Sequence, residues 1–209
     1  MPAKKAVAKA KTGSSKPAWP ALTFRPATPD RWGDVQALFG ERGACGGCWC
    51  MAWRLGRKEW ESGKANNGAG NKRRLKSLVE SDTPPGVLAY AGDEPVGWCA
   101  IAPRQTYVAL ERSRVLKPID DQPVWSISCL FITRAWRRRG VSAKLLDAAV
   151  RYAKSRGARL VEGYPVEPYS DKIPDAFAWT GIPASFVRAK FKEVARPSKS
   201  RPIMRRAIR

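Results

Sequence analysis

The sequence predicts an α+β domain, a central, mostly antiparallel mixed sheet flanked by helices. Three observations lead there. Apolar residues alternate at period two near Leu22 and fill two runs between Val87 and Ile101. They dominate one longer run from Val124 to Ile132. From Gly140 to Arg156 they switch to helical spacing.

In order along the chain, Leu22-Thr23-Phe24-Arg25 reads as a strand that ends at Pro26. Thr28-Pro29-Asp30 then reads as a helix start, with Thr as N-cap and Pro at the first helical position. That helix buries Trp32, Val35, Leu38 and Phe39 on one face and stops near Gly40. Gly43 to Gly47 and Asn66 to Asn71 are loop-like, while Trp53, Leu55 and Trp60, then Leu75, Leu78 and Val79, suggest short helices. Val87 to Tyr90 and Val96 to Ile101 make a hairpin around Gly92-Asp93-Glu94-Pro95. Val124 to Ile132 is a buried central strand. The next helix places Val141, Leu145, Leu146, Ala149, Val150 and Ala153 on one side and Lys144, Asp147, Arg151 and Lys154 on the other, and Gly157 ends it. Ala158 to Val166 returns to strand, Ala184 to Ala189 is a short helix, and Phe191 to Ala195 with Ile203 to Ile208 supply two closing strands.

Composition narrows the chemistry. Of 209 residues, 39 are Lys or Arg and 18 are Asp or Glu, giving a formal charge of +21, and His is absent. An anionic partner is implied. Without imidazole there is no Ser-His-Asp or Cys-His nucleophile pair, no histidine base and no histidine-ligated zinc or haem. The hydrophobic share of 44% suffices for a core without disulfides. Five cysteines fit a reducing compartment. The N-terminus shows no apolar signal core, and no stretch of about 18 apolar residues occurs. The cytoplasm is the expected location, and no membrane contact is expected. Residues 1–20 read as a disordered basic tail and residues 21–209 as one domain.

Between the central strand and the amphipathic helix lies Arg137-Arg138-Arg139-Gly140-Val141-Ser142-Ala143. A strand that runs into an Arg/Gly turn at a helix N-terminus aims free backbone amides and the positive dipole end at one point, which suits a pyrophosphate. The alternative is a helix start that merely follows basic loop residues.

With this order of elements, Arg137 to Ser142 resembles the fingerprint of the GNAT superfamily of acetyl-CoA-dependent N-acetyltransferases: Gln or Arg, two residues, Gly, one residue, then Gly or Ala. Ser142 stands at the last position. The resemblance spans roughly Leu22 to Arg209 and implies acetyl-CoA as co-substrate, no metal, and an amine acceptor. On these positions it implies that the amides of Arg138, Arg139, Gly140, Val141, Ser142 and Ala143 hold the coenzyme A pyrophosphate, with Arg137 adding charge. Main-chain groups of Leu130 and Ile132 would bind pantetheine and polarise the acetyl carbonyl where two strands splay apart. Phe186 falls where the family often carries an acidic tyrosine, so Tyr164 is the substitute acid. Ser126 stands where the protein-lysine-acetylating branch has glutamate, which leaves Glu162 as the best carboxylate base, with a water relay through Ser126 or Ser128 as the alternative.

Cys45-Gly-Gly-Cys48-Trp-Cys50 looks like half of a thiolate metal site, but a structural zinc needs four ligands, and no metal is expected. A tight loop there would help form the acceptor pocket, with Trp53 and Trp98 as lining candidates, against plain core packing. The basic ends, Lys4, Lys5, Lys9, Lys11 and Lys16 and the run from Arg188 to Arg209, suit non-specific nucleic-acid contact. They leave open a second reading, a polyanion-binding module with weak or no catalysis.

Overall fold

The computed structural model describes residues 19–169, 174 and 177–208. Its elements are β1 (Leu22–Pro26), α1 (Trp32–Phe39), α2 (Arg57–Ser62), α3 (Ala65–Val79), β2 (Gly86–Ala91), β3 (Glu94–Pro103), α4 (Val108–Glu111), β4 (Trp125–Ile132), α5 (Val141–Ser155), β5 (Leu160–Gly163), α6 (Pro183–Arg188), β6 (Lys192–Ser198) and β7 (Arg201–Ala207). The strands form one seven-stranded sheet in the order β1-β2-β3-β4-β5-β7-β6. All neighbours are antiparallel except β4 and β5, whose parallel pairing requires the crossover that α5 provides.

Each face of the sheet has its own core. The apolar stripe of α5 packs Leu145, Leu146 and Ala149 with Val87, Cys99, Ile101 and Ile127, and Phe186 of α6 closes that layer. Full burial of a leucine such as Leu145 contributes about 1.5–3 kcal/mol. On the other face, α1 and α3 cover Leu88, Tyr90, Trp98 and Ala100. A third cluster, Tyr107, Leu110, Leu116, Tyr164 and Ile203, fills the end under β5 and β7.

Two irregularities open the sheet in its middle. In the β3–β4 register Ala100 faces Cys129 while Ile101 faces Ile127, so Ser128 is an extra residue that bulges β4. The β4–β5 pairing covers only Trp125↔Val161, Ser126↔Glu162 and Ile127↔Gly163. Beyond Ile127 the two strands part.

Several local expectations are corrected. The strand expected over Ala158 to Val166 stops at Gly163, where the sheet opens. Asn66 to Asn71 lie within α3, but Asn66, Asn67 and Gly68 have left-handed backbone that kinks it. The cause is a backbone contact: a Cβ on Gly68 would lie 2.5 Å from the Gly47 Cα. Trp53 and Leu55 sit in a turn before α2, and α4 was not anticipated. Thr28 makes no side-chain cap; its hydroxyl accepts from Arg31 instead. Residues 1–18 of the expected tail lie outside the described residues, and Trp19 packs edge-on against Trp136 with centroids 5.3 Å apart.

Candidate active site

The basic loop folds as a cradle at the mouth of the opening between β4 and β5. A 3-10 turn, Arg134–Trp136, plants the buried Trp136 in the α5-side core, and the chain then passes through Arg138 (φ 58°) and Gly140 (φ 74°) into α5. Both residues take left-handed backbone, a conformation with little cost only at glycine. Nothing lies within 4 Å of the Cβ position of Gly140, so this bend faces open space. Lys144 N–H is the first to bond back, to Gly140 O at 3.4 Å, and no side chain caps the helix. The amides of Val141, Ser142 and Ala143 therefore have no intrahelical acceptor and point their dipoles outward.

The three arginines differ in what they do. Arg137 Nε donates to Ile132 O at 2.9 Å, tying the cradle to the end of β4. Arg139 Nε donates to Ala135 O at 2.7 Å, and its guanidinium lies 3.4 Å from the centroid of the Trp19 ring. Arg138 is exposed. The Ser142 hydroxyl is within 2.9 Å of Ser185 Oγ, so its side chain joins α5 to α6 and leaves only its amide for a ligand.

On the β4 edge, Thr133 N–H donates to Val96 O on β3, so by alternation the main-chain groups of Leu130 and Ile132 face the opening. Neither is bare. The Leu130 N–H donates to Trp179 O at 2.7 Å, and the Ile132 carbonyl carries the Arg137 guanidinium. A strap, Trp179-Thr180-Gly181, is thus sewn into the opening. Gly181 O accepts from Val166 N–H at 2.9 Å, Thr180 Oγ1 accepts from Arg201 at 3.1 Å, and the Trp179 ring stacks on Trp53 at 5.9 Å between centroids.

Ser126, Glu162 and Tyr164 meet on the side of the sheet away from α5. The Tyr164 hydroxyl donates to Glu162 Oε1 at 2.6 Å, accepts from Arg104 Nη1 at 2.6 Å, and lies 2.7 Å from Ser126 Oγ. Arg104 Nη1 also reaches Glu162 Oε1 at 3.1 Å, and Arg205 Nε reaches Oε2 at 2.6 Å. Burial, and then the Glu162 charge, push the Tyr164 phenol well above its ordinary pKa, so it stays protonated. Of the two readings of Glu162, a base or an ion-pair partner for a nearby arginine, this geometry fits the ion pair. Both oxygens carry donors, and the single Tyr164 proton is already committed to the carboxylate. The trio is a closed network.

The pocket candidates separate. Trp53 is half-buried and stacks on the strap. Trp98 is a correction: it is fully buried, edge-on to Phe39 at 5.7 Å, and its indole N–H donates to Cys50 Sγ at 3.1 Å. Period-two alternation placed it on a strand but could not say that α1 covers that face. The cysteine loop is spread from exposed Cys45 to buried Cys50, whose sulfur lies 3.3 Å from Cys129 Sγ. Contact with Cys129, followed by burial, holds the Cys50 thiol well above its usual range, and burial pushes Cys48 up to about 11. Neutral thiols suit packing better than nucleophilic attack.

Sequence reasoning missed Arg54, Arg104 and Arg205, three buried arginines of which two hold the Glu162 network together. Arg104 directly follows the long apolar run of β3, a position where a charge must find a partner. That was the available signal, and it did not name the partner.

A bulged and splayed strand pair with an uncapped helix start at its mouth is the main irregularity of this mixed sheet. Solved structures share the fold. A GNAT-family acetyltransferase from Streptococcus agalactiae is 11% identical over 92% of this chain and 98% of that one, with a TM-score of 0.52. Another from Listeria monocytogenes is 12% identical over 90% and 95%, with a TM-score of 0.51. At a TM-score of 0.47, the PaiA N-acetyltransferase of Thermoplasma acidophilum, in complex with coenzyme A, is 14% identical over 90% of this chain and 99% of that one. No curated protein matches the chain. Residues 49–170, more than half of the chain, match the acetyltransferase (GNAT) family, and the chain belongs to that family.

Proposed function

We propose that this family member is an N-acetyltransferase that moves the acetyl group of acetyl-CoA to a primary amine by direct attack in a ternary complex. The observation that carries this reading is the outward-facing amide cradle from Arg138 to Ala143 at the mouth of the β4–β5 opening. It offers the pyrophosphate several N–H donors, a helix dipole and the exposed Arg138.

The reaction asks little of acid–base groups. The neutral amine nitrogen bonds to the thioester carbon, the C–S bond breaks, and the sulfur departs as a thiolate whose acid titrates near about 8.5. The amine proton goes to solvent, directly or through a water relay past a hydroxyl such as Ser128. The Leu130 amide would, in this reading, stabilise developing negative charge on the acetyl oxygen, once the Trp179 carbonyl that it now serves gives way. In this reading Glu162, Tyr164 and Ser126 are positioning residues that fix β5 against β4.

The test is thiol release from acetyl-CoA with the full chain and a panel of primary amines. Amine-dependent release is the expected result. Absence of release across the panel, together with tight and salt-sensitive nucleic-acid binding, would favour the polyanion-binding alternative.

A further inference from the structure

Among the described residues three arginines are buried, with 8%, 6% and 9% of Arg54, Arg104 and Arg205 exposed, respectively. Two of them are neutralised. Arg104 pairs with Glu111 at 2.6 Å and Glu162 at 3.1 Å, and Arg205 pairs with Glu162 at 2.6 Å and Asp120 at 2.5 Å. Arg54 pairs with no carboxylate among the described residues. Its guanidinium lies 4.5 Å from the centroid of the Tyr107 ring, and its only hydrogen bonds there are long ones, to Thr106 Oγ1 at 3.3 Å and Tyr107 OH at 3.4 Å. Two neutral oxygens leave most of its five donors and its whole charge uncompensated. The remaining donors are not among the buried unpartnered atoms, so they open on the hollow that Arg54 lines and are available to an anion supplied from outside.

The surroundings agree. Arg54 lines a hollow of about 500 Å³ whose polar wall is Arg54, Arg74, Ser77, Ser81, Thr83 and Thr106, with no acid among its lining residues. Arg74 is spoken for in part by Glu59 at 2.7 Å. The volume is that of a small-molecule site. The hollow lies on the side of the sheet away from α5, and the residue before Arg54 links it to the reaction centre: the Trp53 ring stacks on Trp179, whose carbonyl accepts from the Leu130 N–H of β4.

We infer that Arg54 is the receptor for a carboxylate on the acceptor, so that the amine acetylated at the β4 bulge belongs to the amino-acid class. This inference rests on the transfer reading and adds the substrate class to it. A bidentate guanidinium–carboxylate pair would fix the acceptor at one end and leave its amine free toward β4. The excess of positive charge would draw such anionic acceptors and repel polyamines.

The experiment is a thermal-shift titration of the full chain, saturated with CoA, using a panel of N-acetyl amino acids and the matching N-acetyl amino-acid amides. The expected result is that one or more carboxylates raise Tm while their amides do not, and that Arg54→Gln weakens carboxylate binding by about tenfold or more, as loss of a charged hydrogen bond predicts. Without ligand, Arg54→Gln should hold or gain Tm, because a structural arginine would lose it. A panel in which no carboxylate shifts Tm, or in which amides shift it equally, overturns the inference without any mutant. So does a shift that survives Arg54→Gln. CoA binding is measured separately by calorimetry: its failure would remove the transfer reading, while carboxylate titration of the CoA-free chain would still decide the anion site.

Discussion

The two edges of the β4–β5 opening are built on opposite plans. At the start of α5, hydrogen-bond capacity is left over: amides without intrahelical acceptors, a left-handed glycine facing open space, and an exposed arginine. At Glu162 nothing is left over. Two guanidiniums, a phenol and the serine beside that phenol fill one another's needs in a buried cluster. Function is expected where capacity remains, and stability where it has been used. A buried carboxylate beside a tyrosine resembles an acid–base pair in sequence, and only the structure shows that both its oxygens are held by donors.

The sharpest way to break this contrast is at Glu162. Glu162→Ala leaves Arg104 and Arg205 buried with a shared partner gone, and should cost about 3–5 kcal/mol in denaturant unfolding. Glu162→Gln keeps the shape and should lose less. Where it folds, CoA affinity should match that of the parent chain, whereas a fall in turnover alone would restore Glu162 as a base.

A smaller effect belongs to the strap. Trp179→Ala removes the stack on Trp53 and loosens the carbonyl that occupies the Leu130 amide. If the strap competes with pantetheine, CoA should bind more tightly, by up to about tenfold, the worth of one aromatic pair. Calorimetry showing unchanged or weaker binding would mean that the strap is part of the site.

The smallest effect is at Asp120. Its hydrogen bonds from Arg205 hold its pKa down at about 2, against an ordinary value of 3.8. A depressed carboxylate stabilises the fold above its unfolded pKa and loses that contribution as pH falls through the folded one. Part of the acid sensitivity of Tm between about pH 4 and pH 2 should therefore disappear in Asp120→Asn, as melting curves across that range would show.

The fold was largely legible because its strongest elements are local. The stripe of α5, the Gly92-Asp93 hairpin and the apolar run of β4 each declare themselves within a dozen residues or so, and Gly140 marks the bend before α5. What stayed hidden depends on residues far apart in the chain. Arg205 is exposed or buried according to whether Asp120 and Glu162 reach it, and one of two adjacent arginines in a closing strand carries no sign of that. The strap is joined to β4 by one backbone bond, Trp179 to Leu130, which no side-chain pattern can encode. Trp98 shows the same limit in the core, since alternation assigns a side but not the helix that covers it.

The central claim is that the cradle before α5 docks the phosphorylated end of coenzyme A. Calorimetric titration of CoA and of phosphate-free pantetheine, against the parent chain and Gly140→Asp, tests it directly. The substitution enters open space at φ 74°, a backbone that aspartate tolerates better than most residues. It also places a carboxylate against the pyrophosphate. The account predicts that CoA binds the parent chain far more tightly than pantetheine does and that Gly140→Asp erases the difference. Equal affinities in the parent chain, or undiminished CoA binding in Gly140→Asp, would contradict it.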